Sequence, residues 1–174
     1  ERMLDGRHLV IEDGRVAAVT AGPPDPALPV VALQGGILSP GFLDVQVNGG
    51  GGVMLNDDPS AGTMERIAAA HRAFGTTALL PTLITDTPER TRAALIAAEE
   101  GVRRAGVAGL HLEGPHLDPA RKGAHLAELM RPLQDEDVAL YAAARETIGT
   151  LVVTLAAAQA TPERVRRLAQ AGVI

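Results

Sequence analysis

Gly109-Leu110-His111-Leu112-Glu113-Gly114-Pro115-His116 is the stretch on which the reading of this chain turns. An apolar run from Val107 to Leu112 stops abruptly at a carboxylate, and a helix-breaking Gly-Pro pair follows. Such a run reads as a buried strand. Side chains two apart on a strand share a face, so His111 and Glu113 point the same way. A carboxylate at the C-terminal end of a parallel strand stands where α/β enzymes place their active sites. The same two residues also fit a structural buried polar pair, and strand position alone does not separate the readings.

Upstream, strands and helices alternate. Phe42 to Val47 reads as a strand and Gly49 to Gly52 as a flexible loop after it. Met64, Ile67, Ala68, His71 and Phe74 then share one helical face, with Gly75 as the stop. Thr76 to Leu83 is β-branched and apolar, a second strand. Thr87-Pro88 gives a helix an N-cap and a first-turn proline, with Ala94, Leu95, Ala98 and Val102 facing inward. Downstream of Glu113 comes a loop of about twenty residues, longer than a compact domain keeps unless it serves a site. Asp135 is the expected cap of the next helix, to about Thr147, and Thr150 to Ala156 is a fourth strand. Thr161-Pro162 repeats the helix start, Val165 and Leu168 face inward, Gly172 ends that helix, and Val173-Ile174 begins a fifth strand.

Apolar strands alternating with helices imply a parallel sheet covered by helices, as in a doubly wound sheet or a (β/α)₈ barrel. No Gly-x-Gly-x-x-Gly joins the first of these strands to its helix, which argues against the dinucleotide-binding version. The barrel reading gives residues 37–174 four to five of eight units. Four parallel strands leave open edges, so the chain is expected to be part of a longer protein, with both ends cut. Residues 1–36 differ: His8 to Ile11 and Val16 to Val19 flank a Gly-containing turn, a prolyl loop follows, and Val30 to Leu33 is a third short strand. This piece is too small to stand alone and is expected to pack on the rest.

Composition narrows the function. The 174 residues carry a net charge of −5 with no Lys/Arg run, which gives no support for a nucleic-acid or membrane surface. Cysteine is absent, so any metal must be held by histidine and carboxylate. No signal peptide or membrane-length apolar run is evident, and a cytoplasmic location is expected.

Leu38-Ser39-Pro40-Gly41-Phe42-Leu43-Asp44 resembles the amidohydrolase superfamily, in which a small β-sandwich flanks a metal-dependent barrel. Within it, Asp44-Val45-Gln46-Val47-Asn48-Gly49, Gly75-Thr76-Thr77 with Leu80-Pro81-Thr82-Leu83, and His111-Leu112-Glu113-Gly114-Pro115 are similar, in order and spacing, to the N-acetylglucosamine-6-phosphate deacetylase family. The resemblance implies the first half of a (β/α)₈ TIM-like barrel after part of a β-sandwich, and hydrolysis of the acetamide of N-acetylglucosamine 6-phosphate. It implies one divalent metal ion, zinc, with Glu113 as a ligand and two histidines lying beyond Ile174. An aspartate beyond Ile174 would be the acid/base, so no catalytic residue is expected within the chain.

Most amidohydrolases place His-x-His where this chain has Gln46 and Asn48. Amides bind zinc far more weakly than imidazole, so a single-metal enzyme is implied, with Gln46 and Asn48 orienting Glu113 or the bound water. Lys122-Gly123-Ala124-His125 resembles the family's substrate-contacting loop, which assigns Ala124 and His125 to an amino-sugar phosphate. A homodimer is the implied assembly, with neither nucleic acid nor membrane as partner. Leu155-Ala156-Ala157-Ala158 departs from the family's Leu-Ala-Pro-Glu, which bears on pocket fit. His71 reads as a core histidine, His8 carries no signal, His116 either lines the pocket or faces water, and Arg164, Arg166 and Arg167 read as a solvated helix face. Two alternatives stand: an amidohydrolase acting on a cyclic amide or amino-sugar derivative, and a non-catalytic half barrel.

Overall fold

The computed structural model describes residues 3–174, which form two compact units divided between Ser39 and Pro40. In the first unit β1 (Arg7–Glu12) and β2 (Arg15–Ala21) form the antiparallel hairpin. Asp13 and Gly14 make its two-residue turn, both with positive φ, the geometry that matches the twist of the flanking strands. His8 and Thr20 are cross-strand partners, and their side chains meet at 2.7 Å. The third strand expected at Val30 to Leu33 does not form. Pro29 offers no N–H, no strand edge among the described residues pairs with the segment, and Val31 stays 87% exposed.

In the second unit β3 (Phe42–Val47), β6 (Thr76–Ile84), β7 (Leu110–Glu113) and β8 (Leu151–Thr154) lie side by side in chain order, all parallel. Between β3 and β6 lie two short strands, β4 (Gly49–Gly50) and β5 (Val53–Met54). They close into a hairpin where a flexible glycine loop was expected. The His71 ring braces it through the Gly49 carbonyl at 3.0 Å, so this histidine ties a helix to the hairpin.

Helices α1 (Ala61–Arg72), α2 (Pro88–Gly101), α3 (Asp135–Ile148) and α4 (Pro162–Gln170) follow successive strands. Ser60, Thr87 and Thr161 cap α1, α2 and α4, each accepting a first-turn N–H. Helix α1 ends at Arg72, two residues short of Phe74, which is left 81% exposed beyond it. On α4, Leu168 is buried but Val165 is 40% exposed. Gln134, not Asp135, caps α3. Its N–H donates to Asp137, and Asp135 instead receives Arg164 and Arg167. Those arginines therefore clamp α4 to the start of α3 and are more than a solvated face. No fifth strand is formed at Val173-Ile174, but Ile174 bonds to β8 as a next strand would, donating to the Leu151 carbonyl and accepting from the Val153 N–H.

Register sorts the sheet's two faces. Leu83 pairs with Leu112, and both join Leu79, Leu110, Leu151, Ile67 and Leu95 in the core under the helices. Thr82 pairs with His111 and Ile84 with Glu113, while Glu113 pairs with Thr154, so a polar row occupies the opposite face. The period-two argument that put His111 and Glu113 together holds.

Candidate functional site

The polar row ends in a cavity of about 670 Å³ at the C-terminal ends of the strands. Gln46, Asn48, Glu113, Ala124 and His125 all line it, brought together from three separate stretches of chain. Glu113 leaves the end of β7, and its Oε2 accepts a hydrogen bond from Gln46 Nε2 at 2.8 Å. A carboxylate only accepts, so the Gln46 amide is oriented with its nitrogen toward Glu113. Asn48 stands on the same rim, but among the described residues its hydrogen bond runs from its carbonyl, which accepts from the Leu55 N–H.

His125 faces Glu113 from the long loop, its Nε2 3.7 Å from Oε1, beyond hydrogen-bonding distance. Its Nδ1 rests on Thr85, 2.9 Å from Oγ1 and 3.4 Å from the main-chain nitrogen. Thr85 belongs to no motif read from the sequence, yet its hydroxyl also lies 3.4 Å from the Glu113 carbonyl. Gly114 follows at φ +91°, a left-handed conformation, and a Cβ there would collide with Thr85 Oγ1.

His111 lies one step below Glu113 on the same face. Its Nε2 meets Thr154 Oγ1 at 2.8 Å and Nδ1 meets Thr82 Oγ1 at 3.3 Å. Burial lowers its pKa, with partial opposition from Glu113. The ring is thus bound into three strands. His116 neither lines the cavity nor faces water: it is fully buried. Its Nδ1 donates to the Arg131 carbonyl at 3.1 Å, which leaves Nε2 to accept from the Tyr141 hydroxyl, also at 3.1 Å. Burial depresses the His116 pKa and raises that of Tyr141. Arg131 in turn forks onto both oxygens of Asp137 at 2.6 Å each. These contacts, with the Arg131 N–H on the Pro115 carbonyl, close the neck of the 114–134 loop and leave its middle to carry His125 over the cavity.

The chain is similar in sequence and fold to known proteins. The chain is 43% identical over 148 residues to an N-acetylgalactosamine-6-phosphate deacetylase of Shewanella sp. (strain ANA-3), covering 84% of this chain and 37% of that one. An N-acetylglucosamine-6-phosphate deacetylase of Haemophilus influenzae is 35% identical over 131 residues, covering 73% and 34%. The crystal structure of N-acetylglucosamine-6-phosphate deacetylase from Pasteurella multocida superimposes with a TM-score of 0.89 at 32% identity, over 98% of this chain and 45% of that one. The chain belongs to this deacetylase family, as an N-terminal part. It spans well under half the length of the deacetylases it matches. The four sequential parallel strands are accordingly the first strands of the deacetylase TIM barrel. No model of a known protein family matches the chain. Among the described residues no three His, Asp or Glu side chains converge as a metal site, and no helix is long and apolar enough to cross a membrane.

Proposed function

We propose that the whole protein hydrolyses the N-acetyl group of N-acetylglucosamine 6-phosphate, giving glucosamine 6-phosphate and acetate. The supporting observation is the Glu113 carboxylate at the end of β7, one oxygen held by Gln46 and the other facing His125 inside the cavity. The donor chemistry fits a divalent cation in part. Oε1 lies outside hydrogen-bonding distance of His125 and would serve as one ligand; the described residues hold no set of three, so further ligands would have to join it. A divalent metal such as zinc, if held there by Glu113 and further ligands, would lower the pKa of a bound water to about 7, the activation a poorly electrophilic amide requires. Gln46 fixes the carboxylate's rotamer, and its amide nitrogen, turned to Glu113, makes it a donor in place of a second-metal ligand. Asn48 borders the same space, and Ala124 and His125 approach the substrate from the loop.

A second reading takes N-acetylgalactosamine 6-phosphate as substrate, and the relative 43% identical carries that name. Acetate release from both epimers by the full-length protein decides between them, and release from neither sinks the proposal. The 174-residue chain alone, whose described residues hold no full ligand set, is expected to release none with added zinc. A homodimer in the cytoplasm completes the reading, and light scattering of the full-length protein tests the dimer.

A further inference from the structure

Thr85 is the last buried residue at the end of β6, 40 residues before His125 in sequence and in direct contact with its ring. Two Thr85 groups converge on one imidazole nitrogen. The main-chain N–H can only donate, and it points at Nδ1 from 3.4 Å. The hydroxyl lies nearer, at 2.9 Å from the same nitrogen. A nitrogen that receives an N–H holds a lone pair, so in the neutral ring the proton resides on Nε2. That atom is the one directed across the cavity toward Glu113.

We propose that Thr85 is a positioning residue that locks His125 as the Nε2–H tautomer, committing it to donate a hydrogen bond to a substrate oxygen and removing it from the set of metal ligands. A ring protonated on Nε2 has no lone pair there for a metal, whereas a carbonyl oxygen gaining negative charge requires such a donor. In this tautomer the hydroxyl's single proton goes to Nδ1, so its 3.4 Å approach to the Glu113 carbonyl is a packing contact that seats it between the strand that bears the carboxylate and the loop that bears the ring. The inference rests on the deacetylase reading for the substrate oxygen, but the tautomer is a property of the protein itself.

The test uses the full-length protein labelled with 15N at histidine, the His125 signals being assigned by their loss in His125→Gln. Ring 15N shifts are expected to place the proton on Nε2 in the unsubstituted protein and to move toward mixed tautomers in Thr85→Val, which keeps the 3.4 Å main-chain N–H but loses the nearer hydroxyl donor. With acetate release as the second readout, Thr85→Val lowers kcat roughly tenfold or more with little change in KM, and Thr85→Ser recovers most of the loss. A proton on Nδ1 in the unsubstituted protein overturns the proposal, as does a Thr85→Val variant with unchanged shifts and unchanged kcat. Because the 15N measurement needs no substrate, it still decides the tautomer if neither epimer is hydrolysed. Should Thr85→Val fail to fold, the unsubstituted spectrum decides the tautomer on its own.

Discussion

Gln46 and Glu113 are joined by a 2.8 Å hydrogen bond although β6 lies between their strands. Neighbouring strands are about 4.8 Å apart, so the two side chains reach over one strand and meet above its end. The contact fixes the Glu113 carboxylate through a neutral donor, which restrains the rotamer without neutralising its charge. Gln46→Leu in the full-length protein is therefore expected to weaken metal binding by roughly 10- to 100-fold. Competition against a chelator of known affinity measures it, and unchanged affinity would show that the bond is incidental.

On the proposed reading, Glu113→Gln replaces an anionic ligand by a weak neutral one. Tight metal binding should disappear together with acetate release. Metal content after desalting settles the assignment, and a retained equivalent of zinc refutes it.

Gly114 and Gly123 share left-handed backbone, but only Gly114 faces an obstacle, Thr85 Oγ1. Alanine at Gly123 should cost about 1 kcal/mol of stability. Alanine at Gly114 should cost at least about 2 kcal/mol and displace Thr85 from His125. Urea midpoints of the two variants give the comparison, and equal losses would remove the collision from the account.

Arg131 grips Asp137 with both forks, and the arginine side chain is 33% exposed. Arg131→Met leaves a mostly buried carboxylate without its cation. The expected loss is about 2 kcal/mol, below the ~3–5 kcal/mol of a fully buried pair because solvent reaches the guanidinium. Chemical denaturation at neutral pH reads it directly.

Acid should act on the same neck in two windows. Burial holds His116 below its ordinary 6.5, so the unfolded chain binds that proton first. The stability tied to neutral His116 is present above pH 6.5 and is lost as pH falls below it. Burial pushes the Asp137 carboxyl up, but Arg131 and the Gln134 N–H outweigh it and hold it below 3.8. Its contribution is present above that value and is lost as pH falls through the lower folded one. The fall in urea midpoint between pH 7.5 and 5.5 should shrink in His116→Gln, and an undiminished fall would locate the titration elsewhere.

Local rules made most of the barrel strands and helices legible. Thr-Pro starts gave α2 and α4, and residues Phe42–Val47 and Thr76–Ile84 carried their strand character in their own side chains. What escaped depends on partners. Val30 to Leu33 has strand composition, but strand structure needs an edge to pair with. The Gly49–Met54 hairpin is held by main-chain bonds that glycine does not advertise. Glu113 and His125 stand in motifs, and the Gln46 to Glu113 bond was foreshadowed by family resemblance. Thr85 stands in none, because its role exists only once a loop 40 residues later folds back onto it. His116 looked like a mouth residue by proximity to Glu113. Two steps along the chain past Gly114, the backbone has already turned it inward onto Tyr141.

The closed neck at His116 and Arg131 has an evolutionary consequence. Apart from His125, whose ring rests on Thr85, a segment tied off at its base can change in its middle without transmitting the change to the sheet, so the other residues of 117–130 form an exchangeable cassette above a fixed foundation. Transplanting them between relatives that prefer different sugar epimers should move substrate preference while leaving the unfolding midpoint near its original value. On the proposed reading, selectivity would be carried by the cassette and stability by the neck beneath it.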